Sequence, residues 1–296
     1  MKIAISTSTF GQRDKTAREL LINTGAEIIE NPYGRKLTEY EIIKHLDSVD
    51  GLIAGLEPLN QRVISSARQL KAIARVGIGM DNVDLEYAKN NGILVSNTPE
   101  EPSFAVAELT LTAALCIKRN IIAFNDELHN GIWMKEVTGS LKKANILIIG
   151  YGRIGQKVAE FYRTLEADIN VYDPYIEVEN SIDLHEGIKN ADIISLHASG
   201  KDEILSEFEF KMMKKGVVIL NAARAQLINE NSLVNNIENG KVGGAWLDVF
   251  WDEPYAGKLT KFSNVLLTPH ISTYTLQCRK SMETQAVINL IRDLNL

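Results

Sequence analysis

Three side chains set just past apolar runs could together hold a carboxylate and move a proton. Arg224 follows VVILNAA, Glu253 follows AWLDVFWD and His270 follows NVLLTP. Arginine's planar fork grips a carboxylate at two points. Histidine exchanges a proton near neutral pH, so it can serve a carbonyl oxygen as acid or base. A carboxylate beside that histidine would fix its ring and favour the charged form. What the set lacks is a hydride. A second cluster offers a place for one: GYGRIG carries Gly150, Gly152 and Gly155 in the spacing G-x-G-x-x-G. The first glycine permits a tight turn, the second lets backbone approach a pyrophosphate, and the third lets helix and strand pack closely. Arg153 and Ile154 lie inside this loop; Arg153 either touches the pyrophosphate or opens the helix in solvent. NVYDPY places Asp173 about twenty residues past the loop, where it can accept hydrogen bonds from ribose hydroxyls. It would repel a 2′-phosphate, so NAD is expected rather than NADP.

Taken singly, each residue has a plainer reading. A strand-end arginine is commonly a surface charge, a histidine after proline a turn residue, and Glu253 a rim charge. His197, after ADIISL, is expected in the cofactor crevice without proton transfer. His45, His129 and His185 sit in helical or polar contexts and are expected to be solvated.

The elements that must position these groups alternate. KIAIS, AEIIE, GLIAG and KAIARV are apolar runs of strand length, with helical or turn segments such as TEYEIIKHL between them. Strands separated by helical patterns imply βαβ units and parallel sheets. A long helix is expected over about 103–119, SFAVAELTLTAALCIKR, apolar on most faces. It is either a core helix or part of a subunit interface. From Asn145 six strands are expected: NILIIG, DINVYD, ADIISLH, GVVILNA, GGAWLDV and NVLLTP. They suit a six-stranded doubly wound sheet, whose ligands sit beyond the carboxyl ends of its strands. Arg224, Glu253, His270 and His197 all lie at such ends. The fold class is therefore α/β, in two units.

Composition sets the outer bounds. The 296 residues suffice for two domains, and 45% hydrophobic with 24% charged residues is ordinary for a globular protein. A formal charge of −6 argues against nucleic acid or an anionic membrane as partner. Cys116 and Cys278 lie far apart, which suits neither a disulfide framework nor a metal cluster. The N-terminal stretch does not read as a signal peptide, and no apolar window is long enough to span a membrane. A cytoplasmic protein without a metal is expected.

Seven runs in order carry a resemblance to a known family. They are ARVGIGMDNVD (74–84), SNTPEEPSFAVAEL (96–109), IIGYGRIGQKVAEF (148–161), VYDPY (171–175), ILNAARAQLINE (219–230), LDVFWDEP (247–254) and LLTPHIS (266–272). The chain resembles the D-isomer-specific 2-hydroxyacid dehydrogenases over essentially its whole length, and is nearest in character to the 3-phosphoglycerate dehydrogenase branch. The resemblance implies two Rossmann-like domains with the active site in the cleft between them. One, discontinuous, would bind substrate (1–97 plus 276–296); the other would bind NAD (98–275). It implies that Arg224 clamps the substrate, that His270 is the acid–base with Glu253 as its partner, and that backbone at Ile78 and Gly79 holds the carboxylate. Asp248 should lie near the nicotinamide amide. The partner would be a small 2-hydroxy or 2-oxo acid, and the protein a homodimer joined through the helical region after residue 103. The chain ends soon after its last helix, so no small regulatory domain is expected.

This sequence departs from the family pattern in places. Ala225 follows the arginine where glycine is usual, and Ser272 and Thr273 stand where two glycines are common. ASGK follows His197 in place of a longer LPLT-like loop, and Glu101-Pro102 replaces glycine-asparagine. AGLEPLN has Gly55 and Glu57, and no arginine, where phosphoglycerate dehydrogenases grip a phosphate. Glu57 there would repel one. Glyoxylate or hydroxypyruvate reduction, or a dinucleotide-sensing, corepressor-like binding protein, are the alternatives.

Overall fold

The computed structural model describes residues 1–100, 102–200 and 202–296. The departures noted at Glu101 and at Lys201 of ASGK fall outside these residues. The chain divides into two compact units, Met1–Pro102 with Tyr274–Leu296, and Ser103–Thr273.

In the first unit strands β1 (Lys2–Ile5), β2 (Glu27–Ile29), β3 (Gly51–Ala54), β4 (Ala72–Arg75) and β5 (Leu94–Ser96) form one sheet, all parallel, in the order β2-β1-β3-β4-β5. Helices α1 (Thr16–Ile22), α2 (Glu39–His45), α3 (Gln61–Ser66) and α4 (Leu85–Asn90) join them. Short polar residues start the helices: Thr38, Asn60 and Asp84 each accept a first-turn backbone N–H, satisfying a donor the helix itself leaves open. Strand β5 is not among the strands the sequence predicts. It has three residues on an edge, with Leu94 51% exposed, so it is too short and too wet to show a strand's period.

The last helix of the chain, Leu276–Leu294, belongs to this first unit. Its buried Cys278, Met282, Ala286, Leu290 and Leu294 recur every fourth residue, which makes one apolar stripe. That stripe lies on the sheet: a Cβ built on Gly51 would stand 2.7 Å from Leu294. Buried Glu283 ties the helix to the first loop by accepting from the N–H of Gly11 at 2.9 Å.

In the second unit helices α5 (Pro102–Lys118) and α6 (Ile121–His129) precede the sheet. Strands β6 (Asn145–Ile149), β7 (Asp168–Tyr172), β8 (Ile193–Leu196), β9 (Val217–Asn221), β10 (Val242–Leu247) and β11 (Val265–Leu267) are parallel, in the order β11-β10-β9-β8-β6-β7. Helices α7 (Arg153–Thr164), α8 (Leu184–Asn190), α9 (Glu207–Met212) and α10 (Glu230–Glu238) cover it. Both faces are buried, which is why these strands read as continuous apolar runs. Ile146 and Ile148 of β6 pack in a core with Tyr162, Val171 and Trp246. The alternate residues Leu147 and Ile149 pack in the other, with Ile194, Ile219 and Leu247. The chain reverses direction across the sheet between β6 and β8, and a doubly wound sheet opens a crevice at such a switch point.

Candidate active site

The glycine loop stands at that switch point. Gly150 follows β6 with φ +91°, a region side chains other than glycine rarely adopt. A Cβ there would also lie 2.4 Å from the backbone nitrogen of Ala198. A Cβ on Gly155 would lie 2.1 Å from the carbonyl oxygen of Gly150, so α7 can sit this close only with glycine. Gly152 differs: nothing in the protein comes within 4 Å of its built Cβ. It is also the N-cap of α7 and brings no side-chain acceptor to the first-turn N–H groups. A helix end of this kind favours an anion. Arg153 and Ile154 open that first turn.

Asp173 follows β7, and its carboxylate is already engaged. One oxygen accepts from the N–H of Tyr151 at 2.7 Å; the other accepts from Tyr175 and Ile176 at 2.8 and 3.1 Å. The residue therefore braces the glycine loop against the exit of β7, and one acceptor position remains for a ribose hydroxyl.

His197 begins the loop after β8 and donates its backbone N–H to Ile149 at 2.7 Å. Its Nε2 is 2.7 Å from the hydroxyl of buried Ser195. Burial pushes its pKa down to about 3, so the ring is neutral near physiological pH and is a poor proton shuttle there. The histidines expected to be solvated divide. His45 is buried, with Nε2 3.0 Å from the carbonyl of Ile5, and His185 lies 3.4 Å from Glu209 at the surface.

The acid–base pair is built on loops that leave β10 and β11. His270 Nδ1 lies 3.1 Å from each carboxylate oxygen of Glu253. That contact places the Nδ1 proton against the carboxylate and leaves Nε2 without a partner among the described residues. Glu253 is held in turn by the N–H of Phe250, at 3.2 Å from Oε1. Its loop is pinned by aromatic groups. Phe250 stacks on Tyr255 at 4.6 Å, the Tyr255 hydroxyl donates to Glu230 at 2.8 Å, and the indole of Trp251 donates to the carbonyl of Ile228 at 3.2 Å.

Arg224 follows β9. Buried Asn221 shapes its turn, accepting from the N–H of Ala223 and donating to the carbonyl of Arg224, both at 2.9 Å. The guanidinium donates from Nη1 to the carbonyl of Ala223 at 2.7 Å. Ala225 is buried at the start of a 3-10 turn, Ala225–Leu227, and its φ is not positive. Alanine therefore fits where the family pattern has glycine.

Asp248 follows β10 and its carboxylate faces the loop that carries His270. It is 1% exposed, and each oxygen accepts two hydrogen bonds from the protein. Oδ1 accepts from the Thr268 hydroxyl at 2.6 Å and the N–H of Ile271 at 2.9 Å. Oδ2 accepts from Ser272, at 2.8 Å from its N–H and 2.5 Å from its hydroxyl. These donors fill the carboxylate's acceptor positions.

In the first unit, Gly77 has φ +135°, and the Arg75 guanidinium packs where its Cβ would be. The loop beyond is fixed by Asn97, which donates to the carbonyl of Ile78 at 2.8 Å, and by Thr98, which accepts from the N–H of Gly77 at 2.8 Å. The N–H groups of Ile78 and Gly79 have no acceptor among the described residues. Glu57, expected to repel a phosphate, has its carboxylate built into this unit. It is 1% exposed, accepts from the Ser6 hydroxyl and takes the N–H of Gly55 at 3.0 Å. Asn82 holds the same loop, donating to the carbonyl of Glu57 at 2.7 Å.

A glycine-cradled helix end at the switch point of a parallel sheet, with an Arg, Glu and His at neighbouring strand ends, is an arrangement that suits dinucleotide binding beside an acid–base pair. Comparison with known proteins narrows it. Residues 111–272 match the family model described as D-isomer specific 2-hydroxyacid dehydrogenase, NAD binding domain. D-3-phosphoglycerate dehydrogenase of Methanocaldococcus jannaschii is 36% identical over 87% of this chain, which spans only 52% of that protein. Hydroxypyruvate reductase of Thermotoga maritima is 34% identical over 96% of both chains. The solved structure of the TT0316 protein from Thermus thermophilus superposes with a TM-score of 0.91 at 29% identity, covering 100% of this chain and 97% of that one. The chain belongs to the D-isomer-specific 2-hydroxyacid dehydrogenase family.

Proposed function

We propose that the protein is an NAD-dependent D-2-hydroxyacid dehydrogenase that reduces a small, unphosphorylated 2-oxo acid of the hydroxypyruvate or glyoxylate type. The observation that carries this reading is the pairing of His270 Nδ1 with Glu253 at 3.1 Å, with Nε2 left to act. Arg224 would hold the substrate carboxylate and carbonyl by its fork. Gly150, Gly152 and Gly155 fit the pyrophosphate, and Asp173 fits a ribose without a 2′-phosphate. Bound NADH supplies the hydride to C2. His270 gives its Nε2 proton to the carbonyl oxygen, and Glu253 stabilises the imidazolium before that transfer and keeps the ring aligned. In the oxidative direction neutral His270 takes the hydroxyl proton back at Nε2.

The substrate class rests on the loop after β3. It carries no arginine between Ala54 and Asn60, and the Glu57 carboxylate is built into it. The near full-length match to a hydroxypyruvate reductase supports the same choice. NADH oxidation should be followed with hydroxypyruvate, glyoxylate, pyruvate, 2-oxoglutarate and phosphohydroxypyruvate. Hydroxypyruvate or glyoxylate is expected to exceed phosphohydroxypyruvate in kcat/KM by about tenfold or more. A lead for phosphohydroxypyruvate would overturn the substrate class. NADH binding without any turnover would favour the dinucleotide-sensing alternative.

We also propose a cytoplasmic homodimer. The arm of α5, α6 and the following loop exposes Phe104, Ile121, Leu128, Ile132 and Trp133, the last at 77%. Exposed apolar groups along one stretch of chain support an interaction surface. Light scattering is expected to give twice the chain mass of 32.9 kDa, and Trp133→Glu with Leu128→Glu to shift it toward a single chain. A wild-type monomer would remove the dimer. The cytoplasm suits an NADH-dependent reaction and two cysteines that form no disulfide. Recovery from another cell fraction would remove that assignment.

A further inference from the structure

We propose that the hydroxyl of Ser272 is a positioning group for His270, acting through Asp248. The inference rests on the dehydrogenase reading above. His270 has φ +55°, a strained conformation for a residue other than glycine that persists only where its surroundings impose it. The surroundings are one buried carboxylate. Asp248 takes Thr268 on one side of His270, and Ile271 and Ser272 on the other. The histidine is thus the apex of a loop whose two legs end on the same side chain.

The hydrogens of this network run one way. The Trp246 indole can only donate, and it gives its N–H to the Thr268 hydroxyl at 2.9 Å. That hydroxyl then gives its own proton to Asp248 Oδ1. Asp248 is itself fixed, because its N–H donates to the carbonyl of Asn221 at 3.0 Å. Three of its four acceptor positions are taken by Thr268 and backbone. The fourth is taken by the Ser272 hydroxyl, and Ser272 is 5% exposed, so water does not readily replace it. Removing that hydroxyl would loosen one leg of the loop. It would also free one Asp248 lone pair.

The test compares Ser272→Ala, Ser272→Thr and wild type by steady-state kinetics, NADH fluorescence titration and the His270 ring resonance in NMR, assigned by its loss in His270→Asn. In Ser272→Ala, kcat is expected to fall about ten- to a hundredfold, because small misplacement of a catalytic group is that damaging. KM for the oxo acid and the Kd for NADH are expected to stay within about twofold. The His270 resonance should broaden or shift, and Ser272→Thr, which keeps the hydroxyl, should restore it. A resonance superimposable on wild type in Ser272→Ala overturns the proposal, as does a large change in NADH affinity with kcat preserved. The resonance does not depend on turnover. If no oxo acid is reduced by wild type, the dehydrogenase reading fails while the positioning claim is still decided by the spectrum.

Discussion

Replacing His270 by alanine is expected to lower kcat about 10²- to 10⁴-fold while NADH still binds. The ring's Nδ1 is committed to Glu253 at 3.1 Å, so Nε2 is the nitrogen that can meet a carbonyl oxygen. His197, at the end of β8, cannot replace it, because burial keeps that ring neutral until far below physiological pH. Glu253→Gln should retain part of the activity, since an amide can still accept from Nδ1–H but does not stabilise an imidazolium. Steady-state kinetics with NADH fluorescence titration checks all of this. Full activity in His270→Ala would remove the residue from the chemistry. Loss of NADH binding in that variant would assign it to the cofactor instead.

The second large effect concerns the three glycines, which should respond unequally. Gly150→Ala must hold a side chain at φ +91° and also push it to within 2.4 Å of the Ala198 backbone. Backbone strain and overpacking each cost about 1–3 kcal/mol, so the variant should melt well below wild type or fail to accumulate. Gly155→Ala meets the Gly150 carbonyl at 2.1 Å and should behave similarly. Gly152→Ala meets no protein atom within 4 Å. It should fold and melt like wild type, yet bind NADH about tenfold or more weakly, because only an approaching pyrophosphate needs that space. Calorimetry and NADH titration on the three variants separate these outcomes. Normal NADH affinity in Gly152→Ala would mean that the dinucleotide does not lie over this loop.

These contrasts also separate what local pattern reveals from what it hides. The glycine spacing, Asp173 and the strand-end positions of Arg224, Glu253 and His270 follow from local pattern: an apolar run gives a strand, and its end gives a place. What lies beyond reach depends on register between strands. Trp246 pairs with Leu266 and Leu247 with Leu267, and only that register brings Thr268 beside Asp248. Nothing in the order of residues states it. Glu57 shows the same difficulty in another form. Its carboxylate reads only as a group that would repel a phosphate, whereas the Ser6 hydroxyl and the Gly55 N–H at its side allow it to be 1% exposed. The edge strand β5 and the separate helix α6 escape a sequence reading because the first is three residues long and the second continues the apolar pattern of α5.

The most direct measurement follows the hydride itself. NADH carrying deuterium at the transferable position of nicotinamide C4 would be incubated with hydroxypyruvate or glyoxylate, wild-type protein and His270→Ala, and the products analysed by NMR. Chiral analysis of the hydroxypyruvate product would give its configuration. Deuterium at C2 of the 2-hydroxy acid, the D configuration at that carbon for the hydroxypyruvate product, and loss of both products in His270→Ala are expected. Product of L configuration, deuterium absent from C2, or undiminished product in the variant would contradict the assignment of His270, Glu253 and Arg224 to hydride-coupled proton transfer.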